Sequence, residues 1–310
     1  MVRRTSWKQI VFGIVLFALI LAFTLRARFL HDSSIKSPVY SATNESLDLA
    51  ILDGIVGAEK ESTQKSEENI KAVVVPHHLI TPKSIALGIK ALASSTPRVI
   101  IIISPDHYAL CPKLLCTTKG SYESFFGKTI ISESDVAQLE KSPLVADSEL
   151  FDMEHGIYSI VPFIKHYIPD AQIIPIAISQ KGRGTEKERV EIIRLLKPLL
   201  ARKDVSLVIS SDFSHYLPLA ESKIMDKKTQ KSFCSGNSQE ILTLNNPSQS
   251  DCPLCLWILE QQAKELGFWN PEMISHTNSA DLLRDASIKE TTSHFVFTLS
   301  EIPSFNECLK

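Results

Sequence analysis

Apolar residues along this chain come in short, β-branched runs that stop abruptly, separated by longer stretches in which apolar positions recur at helical spacing. Residues 72–75, 98–103, 172–177 and 205–209 are rich in Val and Ile with little polar alternation, the pattern of strands buried on both faces. Residues 82–94 and 189–201 read as amphipathic helices. So does 252–266, where Leu254, Ile258, Gln262 and Leu266 share a face and Gly267 supplies the stop. A last strand is expected over 293–299. The order strand, helix, strand predicts an α/β fold: a single domain with a mainly parallel central sheet flanked by helices. In such sheets ligands bind in the crevice beyond the strand C-termini.

The N-terminal pattern differs. Arg3, Arg4 and Lys8 precede the apolar run 10–25, and Arg26 and Arg28 follow it. This predicts an N-terminal transmembrane helix over 9–28 after a basic flank at 1–8. With Arg26 and Arg28 where a small-residue cleavage site would stand, the anchor is expected to stay uncleaved, giving a single-pass membrane protein with its domain on the extracytoplasmic side. Residues 29–70, polar except around 47–56, read as a tether carrying one short helix or as a disordered linker throughout; 71–303 is the domain and 304–310 a tail.

At 310 residues one large domain is comfortable, and a net charge of -2 without long basic clusters argues against nucleic acid as a partner. Six cysteines are too few for a disulfide scaffold. Cys111 and Cys116 would close a small disulfide in an exported domain. Cys252 and Cys255 open the predicted helix, where the dipole lowers a thiol's pKa; one site thiol and one core cysteine is the plain reading. Cys234 and Cys308 carry no signal.

Three strand ends deliver acids and imidazoles: His77 and His78, Asp106 and His107, Asp212 and His215. Pro76 and Pro105 precede the first histidines and aim them over the sheet edge. Two imidazoles and one anion are the usual donor set for oxygen-activating non-haem iron, which makes His77 and His107 candidate ligands, with Asp212 or Cys252 as the anion. His78 is expected to point away from His77 if the backbone stays extended. His155 is a candidate acid–base group in a loop, although Asp152 and Glu154 beside it also suit a helix cap. Asp212 and His215 suit a carboxylate–imidazole pair, or an Asx-type cap. His166, His276 and His294 are expected to be structural, His276 within a polar loop at 274–281.

Pro76-His77, Ser104 to His107, Glu154-His155, Pro162-Phe163, Ser210 to His215 and Cys252 occur in a recognisable order. By them the chain resembles the Memo family, known in bacteria and archaea as AmmeMemoRadiSam system protein B, over roughly 72–301. The resemblance implies a fold like that of class III extradiol ring-cleaving dioxygenases. It also implies a metal crevice made by His77, His107 and Cys252, with His155, Asp212 and His215 around it. Iron or copper binding, redox chemistry and phosphopeptide binding come with the family, and its system name alone implies a functional link to a radical SAM protein. The chain departs from the family at His78-Leu79, where Ala-Gly is usual, at Tyr108, where a second histidine is usual, near Tyr158, and at Pro253, where Gly follows the cysteine.

The expected function is therefore a membrane-anchored, dioxygenase-like metal-binding oxidoreductase holding Fe(II), with copper or zinc as other metals. His215 is its base, Asp212 orients it and His155 stabilises charge, and a small-molecule or peptide ligand occupies the crevice. The alternatives are a peptide- or anion-binding module using the same crevice, and a zinc-dependent hydrolase with a metal-bound water.

Overall fold

The computed structural model describes residues 37–61, 69–301 and 308. Strand β1 (Val39–Ser41) and a helix over Glu45–Glu59 precede β2 (Ile70–Val75), a helix over Pro82–Ala93 and β3 (Val99–Pro105). A small insertion follows, with β4 (Leu115–Thr117), β5 (Ser121–Ser124), β6 (Gly127–Thr129), a helix over Glu133–Leu139 and β7 (Val145–Asp147). Short helical turns then lead to β8 (Gln172–Ile178), a helix over Glu186–Leu200 and β9 (Val205–Ser210). The rest comprises β10 (His215–Leu217), helices over Leu219–Ser235 and Pro253–Leu266, β11 (Pro271–Asn278) and β12 (Thr291–Ser300).

The large sheet runs β10-β12-β2-β9-β3-β8-β4-β7, with β11 also on β12. Its centre, β2-β9-β3-β8, is parallel, and these are the Val- and Ile-rich runs, almost wholly buried. Toward its flanks the direction changes: β12 is antiparallel to β2, β10 and β11 to β12, and β4 to β8, while the edge strand β7 is parallel to β4, so the sheet is mixed rather than mainly parallel. The reason lies in the connections: a parallel neighbour needs a long crossover, whereas β11 and β12 are joined only by a short helix and a loop and pair directly.

The expectation of a transmembrane helix ahead of the domain, and with it the single-pass membrane location, is corrected. Among the described residues no helix is long and apolar enough to cross a membrane, and residues 9–28, which carried that expectation, lie outside them.

The helix over Pro82–Ala93 packs on β2 and β12, and the one over Pro253–Leu266 on β9 and β3 beside Glu186–Leu200. Thr185 starts that last helix with a capping box: its hydroxyl accepts the Glu188 N–H while the Glu188 carboxylate accepts the Thr185 N–H. The helix over Glu45–Glu59 buries Leu47, Ile51 and Ile55 and lies on the Pro82–Ala93 helix. Gly54 allows that approach, because a Cβ there would stand 2.6 Å from the Pro82 carbonyl carbon.

Candidate metal centre

Because β2, β9 and β3 are adjacent and parallel, their C-termini release His77, Asp212 and His107 at one sheet edge. The strand ladder extends into these turns: Ser211 N–H donates to Val75 O, and Asp106 N–H to Ile178 O. The His77 N–H donates to Asp212 Oδ1 at 3.3 Å. The His77 ring is buried, and its Nδ1 lies 3.1 Å from Ser210 Oγ, which turns Nε2 toward the crevice. Nε2 there has no hydrogen-bond partner; it stands 3.5 Å from Asp212 Oδ2 and 3.4 Å from Asp251 Oδ2.

Asp251 arrives on a loop that docks against the end of β9. Its N–H donates to Asp212 O at 3.1 Å, its Oδ1 accepts the Ser211 hydroxyl at 2.7 Å, and its Oδ2 accepts the Asp212 N–H at 3.2 Å. Oδ2 also lies 3.7 Å from His107 Nε2. Buried Glu154 holds the other side of that ring. Its Oε1 accepts from His107 Nδ1 at 2.6 Å and from Gly156 N–H at 2.9 Å, and its Oε2 accepts the His107 N–H at 3.0 Å. A carboxylate on the far imidazole nitrogen fixes the ring and raises its basicity, as behind metal-bound histidines.

The charge states follow from burial set against charge. Burial pushes the His77 pKa down to about 3 despite the two aspartates nearby, so the ring is neutral. Burial also works to lower His107, but contact with Asp251 and Glu154 outweighs it and raises its pKa to about 10. His155, 4.0 Å ring to ring from His107, is lowered to about 4 by burial and by the His107 charge. For Asp212 burial works upward, yet His77, His294 and His78 hold its carboxyl well below the usual range. Asp251 is likewise lowered, with burial opposed by His107 and His77. The crevice beside these groups has a volume of about 690 Å³, and His78, His107, His155, His215, Asp251 and Arg183 are among the residues lining it.

The structure thus brings His77, His107, His155, Asp212 and His215 to one place, and the positions differ from the expectations in four respects. His78 does not point away: the backbone leaves the extended form after Val75, and its ring lies 5.2 Å from that of His77 with Nδ1 2.8 Å from Asp212 Oδ2. Asp212 comes within 4.8 Å of a His215 nitrogen, but its hydrogen bond and ion pairs go to His77 and His78. Cys252 lines the crevice with its sulfur bonded to Cys255, and Asp251 places a carboxylate 3.4 Å from His77 Nε2. Asp106, at the end of β3, accepts the N–H groups of Tyr108, Leu110 and Cys111 and shapes the loop rather than the site. Cys111 pairs with Cys116, and Cys234 with Cys308.

His276 belongs to β11 rather than to a loop, with Nε2 3.0 Å from Asp226 Oδ2 and its ring stacked on Phe295. Asp251 is the site group that pattern reading passed over, while Glu154, expected as a helix cap, caps the turn at His155 and also holds His107, and His294 was expected to be only structural. Glu154 was visible as the residue before His155, and Asp251 as the one before Cys252. His294 is fully buried near His78, and nothing in its strand pattern signals that.

Two donor clusters stand out: one atom from each of His77, His107 and Asp251 lies within 4.8 Å of the others, and so do atoms of His78, Asp212 and His215. Two donors held about 2.1 Å from one ion at tetrahedral positions are about 3.4 Å apart, close to the 3.4 and 3.7 Å that separate Asp251 Oδ2 from the two imidazoles.

A family model described as Memo-like protein matches residues 37–290. Among curated relatives, a MEMO1 family protein of Pyrobaculum aerophilum is 26% identical over 191 residues, covering 60% of this chain and 67% of that protein. One of Aquifex aeolicus is 24% identical over 264 residues, covering 83% of this chain and 94% of that protein. Among solved structures, an uncharacterized protein of Escherichia coli K12 aligns with a TM-score of 0.48 at 14% identity, covering 73% of this chain and 99% of the other.

Proposed function

The chain belongs to the Memo-like protein family, and on that premise we propose that it is a non-haem Fe(II) oxidoreductase whose iron is held by His77 Nε2, His107 Nε2 and Asp251 Oδ2. The observation that carries this reading is the convergence of two imidazoles and one carboxylate at metal-ligand spacing, with His77 Nε2 buried and without a hydrogen-bond partner behind the crevice that His107 and Asp251 line. Two histidines and one carboxylate on one face are the donor set of oxygen-activating non-haem Fe(II). Iron so bound supplies one-electron chemistry and open positions for oxygen and substrate. Cys252, the third ligand that the family resemblance implies, becomes a donor only as a thiolate, after reduction of its bond to Cys255.

The surrounding residues divide the remaining work. His155, neutral and half-buried beside His107, exchanges hydrogen bonds with a bound ligand without adding charge. Burial works to lower the pKa of His78, but contact with Asp212 outweighs it and raises it, and the ring lines the crevice wall. His215 faces the same space as the proton acceptor. Arg183, on the rim, suits a small-molecule or peptide ligand with an anionic group.

The test is metal content of the full chain after anaerobic Fe(II) loading, followed by oxygen uptake with an electron donor. The expected result is one iron fewer per chain in His107→Ala and in Asp251→Asn than in the native chain, no loss in Cys252→Ala, and uptake only from iron-loaded native protein. Iron content unchanged by both His107→Ala and Asp251→Asn refutes the assignment. Zinc retained to the exclusion of iron refutes the redox reading.

A further inference from the structure

Asp212 has donors on two sides, and the iron site uses only one of them. Beyond His77, the Asp212 carboxylate faces His78 Nδ1 at 2.8 Å, with a His215 nitrogen within 4.8 Å of both. The His78 contact is an ion pair, and Asp212 Oδ2 has no well-formed hydrogen bond besides it. Buried His215 Nδ1 has none either, and neither nitrogen of fully buried His294, whose ring lies 6.1 Å from that of His78, has one.

An unpaired buried polar atom costs about 1–3 kcal/mol, so such atoms are rare singly and call for a common explanation when gathered. Four of them here lie on one carboxylate and two imidazoles beside it. A carboxylate oxygen with neutral imidazole nitrogens is a donor set for divalent transition metals rather than for alkali ions.

We infer that His78, Asp212 and His215, backed by His294, form a second divalent transition-metal site beside the first, with Asp212 between the two ions as a shared carboxylate. Asp212 Oδ2 lies 3.5 Å from His77 Nε2 on one side and 2.8 Å from His78 Nδ1 on the other. The proposal takes from the iron reading only the identity of its neighbour.

The test uses Co(II) as the probe ion on the full-length, metal-stripped chain, with bound cobalt counted by equilibrium dialysis and mass spectrometry under inert gas. Two variants separate the sites without touching the shared Asp212: His78→Ala and His107→Ala. The expected count is two per native chain and one in each variant, with magnetic coupling between the cobalt ions in the native protein that both variants lose. One Co(II) in the native chain, unchanged in His78→Ala and lost in His107→Ala, overturns the second site and leaves the first standing. One Co(II) lost in His78→Ala but kept in His107→Ala supports the second site and overturns the first. No binding in any form overturns both. Circular dichroism confirms folding of each variant; should His78→Ala unfold, His78→Gln preserves the side-chain volume and repeats the count.

Discussion

Glu154→Gln tests whether the carboxylate behind His107 tunes the metal ligand or merely fills space. Glu154 is fully buried and accepts three hydrogen bonds, from His107 Nδ1 at 2.6 Å, His107 N–H at 3.0 Å and Gly156 N–H at 2.9 Å. Glutamine keeps the shape but has one acceptor oxygen; its amide NH2 meets an N–H donor on the other side. At least one buried donor is therefore left unpaired, which costs about 1–3 kcal/mol. Loss of such an outer partner lowers metal affinity by about 10–100-fold.

A second signature involves protons. His107, with its pKa raised to about 10, carries a proton at neutral pH in the metal-free chain, and an ion taking Nε2 must displace it. Without the Glu154 charge that pKa falls, so less proton is released on binding. Calorimetric titration with Co(II) in two buffers of different ionisation enthalpy reads affinity and proton release together. The expected result is weaker binding with reduced release. Equal affinity and equal release in the variant would refute the reasoning.

Three further outcomes are expected. Gly156→Ala drives a Cβ into Ser104 Oγ and to 3.1 Å from Glu154 Oε1; it should lower both the urea midpoint and metal affinity, and an unchanged affinity would mean that Glu154 moves without consequence. His294→Leu removes two unpaired buried nitrogens and should raise the stability of the metal-free chain by about 1–2 kcal/mol at neutral pH. Because burial lowers the folded pKa of His294 from 6.5 to about 4, its contribution is present above pH 6.5 and lost as pH falls towards 4, so the variant's urea midpoint should drop less over that window than the native chain's. Deleting residues 37–61 uncovers the surface that Leu47, Ile51 and Ile55 occupy and should yield a chain that binds an apolar-surface dye and melts earlier; an unchanged melt would make that helix dispensable.

What the sequence made legible was the buried centre of the sheet. Residues 72–75, 98–103, 172–177 and 205–209 are unmistakable because both faces of those strands are covered, and their ends locate His77, His107 and Asp212. β11 was hidden because every position before Asn278 stays at least partly exposed and most are polar, so Pro271–Asn278 resembles a loop until β12 pairs with it. Asp251 was hidden for a different reason. Its place depends on hydrogen bonds to Ser211 and to the Asp212 backbone, contacts across 39 to 40 residues that no local pattern encodes. His78 was misdirected by applying strand alternation one step past the strand's end.

β9 lies between β2 and β3, although about 100 residues of chain separate it from β3. During synthesis β2 and β3 therefore emerge without their shared neighbour, and the gap between them is filled only when residues 205–210 arrive. Asp251 comes later still. An ion offered to the nascent chain meets isolated histidines, and the full donor set exists only after a slow, long-range pairing step. On the proposed metal reading, loading is then a late event that reports completed assembly, and a bound ion should slow unfolding far more than it speeds folding.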